Sequence, residues 1–203
     1  YILDKFIKPE VEIADVTHLK RGNWFHSTME VFFALPQEER TRENLLKVSK
    51  EVTLTDDYKD FAKDKENQEW YKRALKAYIG AWLDDAKKEK IATMYIMGQS
   101  KPGLELFVNG TLGNANRQCL GFIDKIVEGE NGLKVQDWKT GKKISNFNPN
   151  VKISTSNPFD YWRQQTFYAM LLEQLGATVE ETSLLFPCAE TPTIIYVDHH
   201  NPK

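Results

Sequence analysis

Residues 121–142 read GFIDKIVEGENGLKVQDWKTGK, and this segment constrains the fold more than any other. Two apolar alternating runs flank a glycine-rich break, the pattern of a β-hairpin. Side chains two apart share a strand face. Phe122, Asp124 and Ile126 therefore point one way on the first strand, and Leu133, Val135, Asp137 and Lys139 share a face on the second. Two turns are compatible. A tight Asn131-Gly132 turn sets Asp124 opposite Lys139, whereas a four-residue loop over 129–132 sets Asp124 opposite Asp137. Either register gathers two carboxylates and one ammonium on a largely apolar face, and an odd-length loop would break the arrangement. Carboxylates facing each other across a sheet repel, and burial of an unpaired one is costly. Lys139 neutralises one, and a divalent cation compensates both, because hard cations favour carboxylate oxygens. A solvent-facing salt-bridge ladder is the alternative, and the flanking Phe, Ile, Leu and Val weigh against it.

The chain has 203 residues, 41% of them hydrophobic, and a net charge of −2. That length suits one sizeable core, expected as a single domain over residues 1–203 with a helical amino-terminal part over 1–90. No apolar run approaches the length of a bilayer span, so no membrane partner is expected. Two cysteines, Cys119 and Cys188, exclude a disulfide framework and a four-cysteine iron–sulfur cluster, and fit a reducing intracellular compartment. No G-x-x-x-x-G-K-(S/T) run is present, so no ATP site is expected.

Helical periodicity marks "GNWFHSTMEVFFAL" over 22–35, with Asn23 as a cap, a stripe of Phe25, Met29, Phe32 and Phe33, and a stop at Pro36. "TRENLLKVSKEV" reads as a short helix. A long one runs over about 66–88, with Trp70, Ala74, Ala77, Tyr78, Ala81 and Trp82 on one side. "IATMYIM" and "LELFVNG" read as strands before the hairpin. A last helix follows Asn157 and Pro158 and stops at Gly176, and "TSLLFP" and "TIIYV" close the pattern as strands. The order predicts an α/β or α+β sandwich around a mixed sheet, with α/β as the fold class adopted.

"GFIDKI" followed by "VQDWKTG" resembles the G-x-x-D-(R/K)-(I/V) and D-(Y/W)-K-T-G signatures of the PD-(D/E)xK nuclease superfamily. The likeness is to its RecB-like branch, with AddB-like nuclease domains included. "GNWFH" matches an upstream G-x-x-x-H that supplies His26, and "QQTFY" matches a downstream Q-x-x-x-Y that supplies Gln164 and Tyr168. The resemblance implies a restriction-endonuclease-like core, a central mixed β-sheet flanked by helices. It also implies Mg²⁺- or Mn²⁺-dependent hydrolysis of DNA, with exonuclease action at DNA ends or on single strands. On that pattern the metal ligands are His26, Asp124, Asp137 and the backbone carbonyl of Trp138, with Glu105 as a further candidate. Lys139 is the catalytic ammonium, acting with Asp124, Asp137, Gln164 and Tyr168.

Gln165 is the substitute for Gln164 if the helix is rotated. Lys125, Lys142, Lys143, Lys152 and Arg163, with Gln164 and Tyr168, are candidates for DNA contact, and Tyr161 and Trp162 for base stacking. His199 and His200 lack partner spacing and read as tail residues. The implied setting is the cytoplasm of a bacterium or archaeon, or a phage-encoded protein. The chain would stand alone or with a helicase subunit or fused helicase domain. The rival readings are an inactive nuclease-fold module that binds DNA or protein, and an unrelated α/β domain with a salt-bridged hairpin.

Overall fold

The computed structural model describes residues 17–112, 117–141 and 161–199. Helix α1 (Thr17–Phe33) buries Trp24, Phe25, Thr28, Met29, Phe32 and Phe33, a stripe at helical spacing. It begins ahead of the expected start, so Asn23 lies within the helix and does not cap it. Helix α2 (Arg42–Thr53) is capped by Thr41, whose hydroxyl accepts from the Asn44 N–H at 3.2 Å, and α3 (Lys65–Ala86) by Asp64, which accepts from the Asn67 N–H at 2.9 Å. The buried stripe of α3 is Trp70, Tyr71, Ala74, Leu75 and Tyr78. Ala81 is exposed and Trp82 half-buried, because the covered face is turned toward α1. There Trp24 stacks on Tyr71 with ring centroids 3.8 Å apart.

Arg40 is 4% exposed. Its guanidinium donates to the carbonyls of Phe33, Leu35, Ala86 and Glu89, tying together the carboxyl ends of α1 and α3.

Strands β1 (Thr93–Ile96) and β2 (Gln99–Pro102) form a separate hairpin, turned by Met97 and Gly98 at φ of 51° and 79°. The main sheet has five strands in the order β3 (Leu104–Leu112), β4 (Arg117–Glu128), β5 (Leu133–Trp138), β6 (Val179–Phe186) and β7 (Thr193–Asp198). It is antiparallel except where β5 lies parallel to β6. Helix α4 (Tyr161–Gln174) falls between those two strands, as a parallel connection requires. Gly176 at φ 85° ends it, with the Ala177 N–H returning to the Leu172 carbonyl at 3.1 Å. The expected cap at Asn157 and Pro158 lies outside the described residues.

Two apolar clusters cover the sheet. One joins α1, α2 and α3 to Leu104, Trp138 and Leu185, and the other joins α4 to Leu106, Val108, Ile123, Ile126, Val135 and Val179. The hairpin takes the four-residue loop: Glu128 pairs with Leu133 and Lys125 with Gln136, closed by the Gly129 N–H to the Gly132 carbonyl at 2.8 Å. One more step of that register sets Asp124 against Asp137. His199 is not a loose tail residue. Its N–H donates to the Glu180 carbonyl at 2.8 Å, and its ring lies 3.2 Å from the Thr182 hydroxyl.

Candidate active site

Asp124 lies within β4 and Asp137 near the end of β5, 6% and 2% exposed. The Trp138 N–H donates to Asp124 Oδ2 at 2.8 Å. One carboxylate oxygen is thereby anchored to the neighbouring strand, and Oδ1 faces His26 Nδ1 at 3.5 Å. His26 reaches the same point from α1. Its Nε2 donates to the Trp138 carbonyl at 2.9 Å, and its Nδ1 lies 3.9 Å from Glu105 Oε1. The Trp138 carbonyl thus opens onto the acidic cluster, while its indole packs away from it, against Phe33 at 5.8 Å.

Glu105 owes its place to a break in β3. Leu104 belongs to the cluster under α1–α3 and Leu106 to the cluster under α4, although residues two apart in a regular strand share a face. Between them Glu105 adopts a left-handed φ of 41°, which costs a non-glycine residue on the order of 1–3 kcal/mol. The break aims its carboxylate at the others: His26, Glu105 and Asp124 present ligand atoms all within 4.8 Å of one another. Nothing in the local sequence signals that conformation.

Lys139 follows β5, and its ammonium pairs with Asp137 Oδ2. It also donates to Gln164 Oε1 at 3.2 Å, and Gln164 Nε2 donates to the Tyr168 hydroxyl at 2.8 Å. Gln164 and Tyr168, one helical turn apart, therefore extend a chain of hydrogen bonds from the hairpin lysine. Gln165 is fully buried and does not take that role. Tyr168 fits against β4 because residue 121 is glycine: a Cβ there would lie 2.6 Å from Tyr168 Cε1.

Lys125 departs from expectation. It is 1% exposed, pairs with Glu89 at 2.5 Å, and lies 3.9 Å from the Phe33 ring centroid. It lies on the side of the sheet under α1 and α3, among Phe33, Trp138 and Glu89, where no nucleic acid can reach it. Lys142, Lys143, Lys152 and His200 lie outside the described residues, as do the side chains of Tyr161, Trp162 and Arg163.

The electrostatics follow from crowding like charges away from water. Burial, then repulsion from Asp124, pushes the Glu105 carboxyl up to about 7. The same two causes raise Asp137 against the pull of Lys139. Burial alone favours a neutral His26, but attraction to Asp124, with Asp137 and Glu105, outweighs it and raises the imidazolium to about 9. All three groups bind a proton more tightly folded than unfolded, so each contributes stability that is lost as pH rises. For Glu105 the loss runs from its ordinary value of 4.5 to about 7, and for His26 from 6.5 to about 9. Thermal melts in EDTA are therefore expected to fall in midpoint from pH 5 to 9. A midpoint rising across pH 5–7 would show that the carboxylates are not crowded.

A search of curated proteins returns no match. The five-strand mixed sheet between helices is consistent with a restriction-endonuclease-like core. Since the family model for the PD-(D/E)XK nuclease superfamily also matches residues 2–202, around this acid pair and its lysine, the chain belongs to that superfamily.

Proposed function

We propose that this protein is a divalent-cation-dependent DNA nuclease of the RecB-like branch, an exonuclease working at DNA ends in DNA processing, repair or recombination, with residues 1–203 as one nuclease domain. Membership of the superfamily carries nuclease chemistry and divalent-metal use. The observation that supports the rest is the convergence of His26, Glu105 and Asp124 beside Asp137, Lys139 and the Trp138 carbonyl.

The donor set fits a small divalent ion. Carboxylate and carbonyl oxygens suit Mg²⁺ and Mn²⁺, and the imidazole inclines the choice toward Mn²⁺. His26, Asp124, Asp137, Glu105 and the Trp138 carbonyl would hold it. A bound cation lowers the pKa of water and draws charge from the scissile phosphate.

The remaining work belongs to the chain. As a ligand His26 would give up the proton on Nδ1, the nitrogen that faces Asp124 and Glu105, while its Nε2–H stays on the Trp138 carbonyl. Asp124 keeps one oxygen on the Trp138 N–H, so the other arrives already oriented. Lys139, held between Asp137 and Gln164, offers its ammonium to the charge that develops on the phosphate or to the attacking water. Gln164 and Tyr168 fix the lysine and face the strand. Arg163, Lys142, Lys143 and Lys152 complete the reading as phosphate contacts, with a helicase subunit or a fused helicase as the partner that feeds DNA to the site.

Labelled single- and double-stranded DNA incubated with Mn²⁺ or Mg²⁺ is expected to shorten progressively from its ends, and EDTA is expected to stop it. Binding without cleavage under every metal condition would leave an inactive DNA-binding module instead.

A further inference from the structure

Strand β4 pairs with β5 only over residues 125–128, while its pairing with β3 continues out to Leu112 and Arg117. Beyond the acidic cluster the two strands therefore form a ribbon. Helix α4 covers one face of it: Leu106, Val108 and Ile123 are buried there, and a Cβ on Gly110 would lie 2.6 Å from Leu171 Cδ2. Among the described residues nothing covers the other face. Its three cross-strand pairs are Phe107 with Phe122, Asn109 with Leu120, and Thr111 with Gln118, all exposed. Phe107 and Phe122 are 37% and 54% exposed, with ring centroids 5.2 Å apart, and Leu120 is 68% exposed. None of the six carries a charge.

The position of this face says what covers it. Phe107 follows Glu105 by two residues and Phe122 precedes Asp124 by two, so the ring pair lies within about 6.7 Å along the strands of the acidic cluster, next to the break at which Leu104 and Lys125 pass to the α1–α3 side. A strand entering a nuclease site brings phosphates to the cluster and bases to whatever lies beside it. The ring pair nearest the cluster offers phosphates neither charge nor donor, but every unpaired base has a π-face to lay on it. A duplex hides those faces inside its stack.

We propose that the open face of the β3–β4 ribbon is a stacking platform for unpaired bases. Phe107 and Phe122 seat the base next to the scissile phosphate, and the site is thereby selective for single-stranded DNA. The inference rests on the nuclease reading for the identity of the polymer, yet its test needs no cleavage.

Fluorescence anisotropy in EDTA compares a labelled oligothymidylate with an abasic strand of the same length. The wild type is expected to bind the thymidylate at least about tenfold more tightly. The double variant Phe107→Ala/Phe122→Ala is expected to bind both strands alike. Phe122→Trp should keep the preference, and its indole emission should drop as the thymidylate is added. An equal preference in wild type and double variant overturns the platform. So does a wild-type dimer, seen by sedimentation, that the double variant dissolves, since the face would then bind a second copy. If the base preference holds while no metal supports cleavage, the nuclease reading fails and the platform stands. Cleavage without base preference has the opposite meaning.

Discussion

Asp137→Ala is expected to lower DNA cleavage at least ~10³-fold, the upper range for removing one preorganised electrostatic group from a site, while raising the melting temperature of the metal-free protein. The two effects have one origin. Asp137 is 2% exposed and faces Asp124 across the hairpin, and burial with that repulsion already drives its carboxyl toward the protonated form. The ionised group is thus a burden on the metal-free fold, which the proposed cation would relieve. An activity loss caused by misfolding would lower the melting temperature instead, so the opposite signs identify a functional residue. Lys139→Met supplies the contrast. It is expected to lose cleavage by ~10²–10³ and to melt lower at pH 8, because Asp137 then loses its ammonium partner. If Asp137→Ala cleaves DNA as the wild type does, the hairpin is not the catalytic centre.

Mn²⁺ at a hundredfold excess over its dissociation constant is expected to add about 2.7 kcal/mol of stability by mass action. For a chain of this length each kcal/mol moves the midpoint by about 2–4 °C, which gives a rise of roughly 5–11 °C. The unfolded chain cannot match that binding, since His26 and Trp138 are 112 residues apart in sequence and 2.9 Å apart at the site. Asp124→Asn keeps the side-chain shape but removes the charge between His26 and Glu105, and is expected to abolish the shift. Releasing the repulsion on Glu105 should also raise the metal-free midpoint, in parallel with Asp137→Ala. Scanning calorimetry with and without Mn²⁺ measures both quantities. A full metal shift in Asp124→Asn would exclude Asp124 from the site.

Much of the architecture was legible in the chain because the signals are local. "TRENLLKVSKEV" forms the second helix, Gly176 stops the last one, and the period changes from helical to two at the first strand candidate. Strand β2 was missed, since QSKP carries no alternation and pairs only through the tight Met97-Gly98 turn. Lys125 is misread from the chain, and Arg40 draws no notice there, for a shared reason. A charge counts as surface until four carbonyls, or a carboxylate and two rings, are found around it, and those partners come from distant elements.

Period-two alternation put Asp137 and Lys139 on one face of their strand and joined them to Asp124 for either even-length turn, because side chains of an extended chain must alternate. It left open which turn closes the hairpin, and the fold chose the four-residue loop that sets acid against acid. The left-handed backbone of Glu105, the arrival of His26 from the first helix and the choice of Gln164 over Gln165 were also decided only in three dimensions. So was the open face of the β3–β4 ribbon. Each depends on which surface a remote element covers, and that is settled by packing rather than by any local run of residues.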